Sequence, residues 1–590
     1  MSALSVGLFV LISSTSTVSD SSPPLTEEEL RLLQNIEAEQ LEEKAPVQQR
    51  TQAKTHNRNQ DANEDARTWA ATLTENVAAS DAPIRWTRDE PGHLKPMVKG
   101  LASHRSLTTL DGLPIRTMFD GINELGAAHL FDPQTINAPR LSETSLRLER
   151  KQWMPGSGSE GWLTIGSYLR DYGAGLSFGH GAKDFQVFGQ AAVSQPATGY
   201  LTAEQNTTRF NGHLRTTNEG LAKSPFFWTI GLDVDEVQDF VRWELDARGN
   251  AIELRRNRMG GFGQWGYENQ FLQVTIQPFY FHYVTEQDNP RIISLEENVH
   301  QMGLRFSTVG KVFETAKLGV ELEGTRQAGV HESGNDSISA EQTNLRAGVT
   351  AYYGDQTNPD VAKSFIKAVF GRELGNQRRN DERDSIGYFY GTIMGAYQIL
   401  NPLKIFGGIQ YNPQFPSVKD RIRGASNEIE YLIHGYLGLS GTAKNLAISA
   451  EFYSNQYTDL RIPDPFGTNV VRRDRQLDVG SLLTLRWQLS EKVQMIGSNG
   501  FEITNDTNYH YRRLRLVYRH SPRGLLAEAS ASQWSNTTFW TNLAFQAPFL
   551  DDHFFARLSL DNVQDNESMR PNSSIPEPEL SVRLLLKTAW

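Results

Sequence analysis

Cysteine is absent from the 590 residues. That excludes a disulfide framework, a thiolate metal site and a cysteine nucleophile. Positive charge is also short: the formal net charge is −11, which argues against a nucleic-acid partner. Long apolar runs are missing. Mean hydropathy is −0.48, and no stretch of 18 apolar residues exists to make a transmembrane helix. No H-E-x-x-H motif and no cluster of histidines and carboxylates at metal-ligand spacing occurs, so neither a metal nor a cofactor is expected.

Two motifs that could suggest catalysis sit in the wrong context. "GFGQWG" (261–266) has dinucleotide-loop spacing but no helix pattern after it. "GLSFG" (175–179) has nucleophile-elbow spacing, yet Leu176 and Phe178 alternate with small residues as in a plain strand. No enzyme is expected.

The one compact apolar run is "ALSVGLFVLI" (3–12), followed by small residues. It reads as the core of a secretory signal peptide spanning 1–19. Residues 20–65 are polar, with leucines at helical spacing over 25–44 and Thr26 as an N-cap. They read as a flexible periplasmic segment with one short helix. Residues 66–165 are short mixed segments punctuated by glycine and proline and read as a small α+β domain.

From about 140 onward one pattern repeats: segments of about ten residues alternate in polarity between turns. "FFARLSLDN" sets Phe554, Ala556, Leu558 and Leu560 against Phe555, Arg557, Ser559 and Asp561. "VGSLLTLRWQL" sets Leu483, Leu485, Trp487 and Leu489 against Thr484, Arg486 and Gln488. Soluble strands average five or six residues, whereas tilted membrane strands need about 9–11. Aromatic clusters at Phe279, Tyr280, Phe281 and Tyr283, at Tyr388, Phe389 and Tyr390, and at Phe539 and Trp540 suggest interfacial girdles. A sheet in lipid must close so that every backbone group is paired. The expected fold is therefore an all-β transmembrane barrel of about 22 antiparallel strands over 166–590, in the bacterial outer membrane. So wide a barrel needs a plug, and 66–165 could fill it.

On "RRLRLVYRH" the alternation sets Arg513, Arg515 and Arg519 opposite Leu514, Leu516 and Tyr518. A cation facing lipid costs about 2–4 kcal/mol at midplane, so these arginines should face the lumen. There they could attract an anionic ligand or pair with plug carboxylates. Asp120, Asn123 and His129 in "MFDGINELGAAHL" are further ligand candidates, on a loop expected at the plug apex.

Several segments together resemble the TonB-dependent outer-membrane receptors. "PMVKGLASHRSLTTLDGLPI" (96–115) looks like the plug signature, with Gly100, Asp111, Gly112 and Pro114 in its marked places. "LFDPQTINAPRLSE" (130–143) and "PGSGSEGWLTI" (155–165) resemble the later plug segment and the start of the barrel. "ELSVRLLLKTAW" (579–590), with Leu584, Leu586 and Trp590, resembles the closing strand that barrel assembly machinery reads. The resemblance implies uptake of a scarce ligand such as a metal chelate, energised by a TonB-like inner-membrane protein acting on residues 20–65. Where that family carries its TonB box, this chain has the polar helix pattern 25–44. A second reading follows: an outer-membrane scaffold or assembly component that holds a periplasmic partner through that segment.

Overall fold

The computed structural model describes strands from Ile84 onward and side chains over much of residues 107–590. Residues 1–83, 120–139, 151–157 and several connections between strands lie outside the described residues. So do the sequence-expected Gly100, Asp120, Asn123, His129 and Trp590, the signal peptide and the segment 20–65.

Strands from Gly158–Gly166 to Ser581–Ala589 close into one antiparallel barrel. Gln186–Gln195 and Ala197–Tyr200 both pair with Ala203–Thr217 and form a single strand interrupted at Pro196, so the barrel has 22 strands. Pairing begins inside the glycine-rich stretch near 158. The seam joins Arg583 to Gly166 and Ala589 to Glu160 in continuous register. That closure leaves no sheet edge in the apolar layer.

The alternation in sequence becomes the two faces of the wall. On Phe226–Trp243, Ile230, Leu232 and Val234 point outward, while Asp233 and Asp235 are 2% and 1% exposed inside. On Asn508–Arg519, Leu514 and Leu516 lie outside and Arg515 is buried inside. On Ser581–Ala589, Arg583 and Leu585 are buried within, and Leu584 pairs with the exposed Ile165. The outer belt of leucine, isoleucine, valine and phenylalanine is what a bilayer core demands.

Of the residues expected in girdles, Tyr280 and Phe389 face outward while Tyr388 and Tyr390 face inward. Other aromatics, Phe226, Trp265, Phe271, Phe313, Tyr353, Tyr397 and Trp487, are exposed near the end of the barrel where Phe313 turns into Ala316 and Leu400 into Leu403. Phe279, Phe281 and Tyr283, however, are buried in the lumen, and only Tyr280 of that cluster faces out. In a run where nearly every residue is aromatic, strand alternation must send half of them inside.

Wall height varies around the barrel. The eight consecutive strands from Phe226–Trp243 to Glu382–Leu400 have 15 to 22 residues. The last six, from Val493–Ile503 to Ser581–Ala589, have 8 to 12. Since about 9–11 residues cross a bilayer, the tall wall stands well beyond it on the loop end. Its outer face turns polar there: Arg255 pairs with Glu236 at 3.0 Å, and Arg326 with Glu341 at 2.7 Å.

Before the barrel come two small sheets. Ile84–Arg88, Leu94–Val98 and Leu101–Ala102 form one. In the other, Leu107–Leu110 lies between Leu113–Pro114 and a parallel Ser145–Leu148, which also pairs with Arg140–Leu141. Leu110, Leu113, Ile115 and Leu148 are buried there.

Candidate functional site

The site is built where the second small sheet meets the inner face of the barrel. Its first part is the turn in "LDGLPI". Asp111 and Gly112 both have positive φ, 50° and 82°, and join Leu110 to Leu113 as a two-residue hairpin. Asp111 Oδ1 accepts from the Arg150 backbone N–H at 3.0 Å, which ties this turn to the start of the next segment. Arg305 of the barrel donates through Nη1 to the Gly112 carbonyl at 2.8 Å. A Cβ at Gly112 would stand 3.2 Å from that same Nη1, so backbone strain and close approach both select glycine. Asp111, Gly112 and Pro114 of the sequence signature are thus brought to the wall.

The second part is Arg150, which is fully buried. Its Nη2 donates to Asp235 Oδ1 and Oδ2 at 2.9 and 2.8 Å, and to Asp233 Oδ1 at 3.3 Å. From the barrel, Arg258 Nη1 reaches Asp233 and Asp235 at 3.0 Å each. Asn211 donates to Asp235 at 2.9 Å, and His213 Nδ1 lies 2.6 Å from Asp233. Phe281 forms a floor, its ring centre 3.8 Å from the Arg258 guanidinium carbon. Two guanidiniums face two carboxylates, so the cluster is balanced. Burial opposes the charge on Arg150, but Asp235 and Asp233 outweigh it and raise its pKa above the ordinary arginine value. Arg150 therefore stays charged at every working pH.

The third part comes from the loop end. The helix Val418–Ile422 begins with a capping box: Ser417 Oγ accepts from Asp420 N at 3.1 Å, and Asp420 Oδ2 accepts from Ser417 N at 3.1 Å. It ends at Gly424, with φ 88°. Val418, Lys419, Asp420 and Arg421 are all buried because the helix lies within the lumen. Val418 N donates to the Met118 carbonyl at 2.9 Å, while Met118 N donates to Gln327 at 2.5 Å. Lys419 lies 3.5 Å from Glu297, which also meets His331 at 3.2 Å. Arg421 pairs with Asp384 and donates to Gln377, whose amide in turn donates to the Pro416 carbonyl. Under this helix remains a polar cavity of about 240 Å³, lined by Met118, Glu323, Arg346, Glu373, Tyr388 and Asp420 among others.

Of the sequence candidates, Arg515 lies elsewhere on the inner wall. It donates to both oxygens of Glu528 at 2.6 and 3.1 Å, and Arg557 approaches the same carboxylate at 3.7 Å. Its carboxylate is thus on the adjacent barrel strand. Arg513 is on the same inward face of Asn508–Arg519. The "GLSFG" and "GFGQWG" motifs both lie on barrel strands, Tyr172–Gly181 and Ala251–Glu268. The residues that sequence reading missed are Arg150, Asp233, Asp235, Arg258 and the helix 418–422. Acidic residues at two inward-phased positions, and an S-x-x-D followed by glycine, were the available signals.

No family model matches the chain, and no curated protein matches it in sequence. Solved structures do. The copper transporter OprC superposes with a TM-score of 0.72 at 12% identity, covering 88% of this chain and 96% of that one. The FrpB iron transporter from Neisseria meningitidis (F3-3 variant) gives 0.72 at 8% identity, covering 90% and 98%. The siderophore receptor PiuA from Acinetobacter baumannii gives 0.67 at 11%, covering 88% and 94%. At such identities the likeness is one of fold, and it extends along nearly the whole of each chain: this protein has the closed 22-strand barrel of structures solved as metal transporters and siderophore receptors.

Proposed function

We propose that the protein is a plugged receptor-transporter of the bacterial outer membrane, of the TonB-dependent kind. It takes up a scarce ligand such as a metal chelate. In this reading 1–19 directs export, 20–65 meets a TonB-like inner-membrane protein, 66–165 is the plug except for its last strand, Gly158–Gly166, which pairs in the barrel, and the closing strand is read by barrel assembly machinery. The observation that carries the reading is the Arg150 cluster. A 22-strand barrel is wide enough to leak, and here a segment N-terminal to it is fastened to the inner wall by a buried, charge-balanced contact.

The chemistry of that contact sets how it can open. Arg150 cannot be discharged, so deprotonation of its own side chain will not release it. Removing one member of a buried ion pair costs about 3–5 kcal/mol. Spontaneous opening is therefore rare, and work delivered from the inner membrane through the N-terminal segment is a fitting trigger. Ligands would be held on the loop side, where Met118, Arg346, Tyr388 and Asp420 line the cavity under the inward helix. Arg513 and Arg515, and Asp120, Asn123 and His129 on the plug, remain candidates for guiding an anionic chelate.

The test is uptake in cells lacking the gene and cells carrying it on a plasmid. Radiolabelled copper(II) and a labelled ferric siderophore are the probes, each measured with and without a protonophore. Accumulation that requires both the protein and the proton gradient, and is lost when 20–65 is deleted, is the expected result. Accumulation of neither probe above the deletion strain, under metal limitation, counts against the assignment.

A further inference from the structure

The outer face of the tall wall carries a groove that the transport reading does not use. It runs over the strand Ala316–Ser333, where two successive outward positions are only Ala328 and Val330. Asn298 and His300 rise on one side, Ser339, Glu341 and Arg378 on the other, and Glu296 and Glu332 stand toward the loop end. The groove has a volume of about 630 Å³.

Strand register fixes its height. One row below it are Met302 and Arg326, and the next row down is Leu304, Gly324 and Leu345. Leu304 and Leu345 are both 51% exposed and form the upper edge of the apolar belt. The groove therefore opens directly above the layer that acyl chains fill, at the level of lipid headgroups.

Its chemistry distinguishes between the parts of a headgroup. Glu341 is neutralised by Arg326 at 2.7 Å, but Glu296 and Glu332 have no ion pair among the described residues. Arg378 also lines the groove, its Nε on the Asn380 carbonyl at 3.0 Å, so the acidic part is the end toward the loops, and a phosphate placed there would meet those two carboxylates and be repelled. Sugar hydroxyls would instead donate to them, in short charge-assisted hydrogen bonds. Asn298 and Ser339 add neutral polar groups. The flank beside them is flat: the His282 and His300 rings stack at 4.4 Å and 6°, braced by Tyr280 Oη at 2.8 Å from His300 Nδ1 and by Asn298 Oδ1 at 2.9 Å from His282 Nε2.

We propose that this groove seats the saccharide headgroup of a glycolipid in the surrounding outer leaflet, with Glu296, Glu332, Asn298 and Ser339 as hydroxyl partners. The proposal rests on the outer-membrane location given above and is independent of what the lumen carries.

The experiment uses the purified full-length protein, reconstituted in phosphatidylcholine vesicles containing a small fraction of rough lipopolysaccharide. Lipid bound to the protein after re-extraction is measured by mass spectrometry. Ala328→Trp fills the groove from its floor, and Glu332→Gln changes chemistry without bulk. Both face outward, and heat-modifiable migration checks that the barrel has formed. Retention should fall about tenfold in each variant, the loss of about 1.4 kcal/mol of contact. Free core oligosaccharide should displace the lipid, and inorganic phosphate should not. Equal retention by the wild type and both variants overturns the proposal. So does displacement by phosphate or by lipid A without its core oligosaccharide, but not by the free oligosaccharide. Failure of metal uptake with glycolipid retention intact would count against the transport reading alone.

Discussion

Replacing Arg150 by alanine is the most informative perturbation of the lumen. The side chain is fully buried, and its Nη2 makes three contacts to Asp233 and Asp235. In the wild type two positive and two negative groups share the site. In Arg150→Ala, Arg258 is the guanidinium left facing both aspartates, with His213 beside Asp233 and Asn211 beside Asp235, so the buried pair loses one of its two cations. Such a loss costs about 3–5 kcal/mol. None of it falls on the barrel's backbone pairing, so the expected consequence is release of the segment around 150 from the wall. At about 1.4 kcal/mol per tenfold, the detached population rises by about two to three orders of magnitude. The assay is ion conductance in a planar bilayer, paired with limited proteolysis of detergent-solubilised protein. The variant should keep its heat-modifiable barrel, conduct where the wild type does not, and be cleaved earlier near residue 150. The double variant R150M/D235N removes one charge of each sign, leaves Arg258 with Asp233 at 3.0 Å, and should recover much of the closure. Unchanged conductance and protection in Arg150→Ala, with a folded barrel, would refute the assignment of this cluster as the fastening.

Other outcomes follow from the same geometry. Gly112→Val places a β-branched residue at φ 82° against Arg305 and should destabilise the small sheet by about 1–3 kcal/mol, read as earlier proteolysis with the barrel intact. Leu516→Arg puts a cation on the lipid face at a position 45% exposed there, and should cost about 2–4 kcal/mol in urea-driven refolding into vesicles; Leu516→Ile should be near neutral. Arg515→Ala removes the two close bonds to Glu528 and leaves Arg557 at 3.7 Å, and should lower barrel stability by about 3 kcal/mol in the same refolding titration. The triple variant Ser417→Ala, Lys419→Ala, Arg421→Ala removes the serine cap and the Glu297 and Asp384 pairs of the inward helix; it should hasten proteolytic cleavage near residue 420 without changing barrel yield.

The barrel was legible because two solvents on two faces force period-two alternation, and "RRLRLVYRH" and "FFARLSLDN" carry it without ambiguity. The hairpin in "LDGLPI" was legible because Asp-Gly is a chemical requirement of that turn. Partners were not legible. Arg515 reads equally well as a ligand contact, a tie to the small domain or a pair within the wall, and only register brings Glu528 beside it. In "DVDEV" the phase of Asp233 and Asp235 can be read from the leucine and valine between them, yet nothing local says that Arg150, some 85 positions earlier in sequence, fills the space between them. The aromatics of "PFYFHY" failed for a different reason: where each residue suits either face, alternation gives no phase. The cap of the helix at 418 was readable, but its inward fold depends on Gln327, Glu297 and Asp384 from three separate strands.

The unequal strands have a consequence for how anything reaches the lumen. At about 3.3 Å per residue and a tilt of about 45°, the strands of the tall wall rise about 40 Å and those of the low wall about 20 Å. Measured in paired backbone, the mouth is cut on a slant like the nib of a quill, and its short lip stands near the membrane surface. In paired backbone alone, the tall side stands across the lumen from that lip as a backstop.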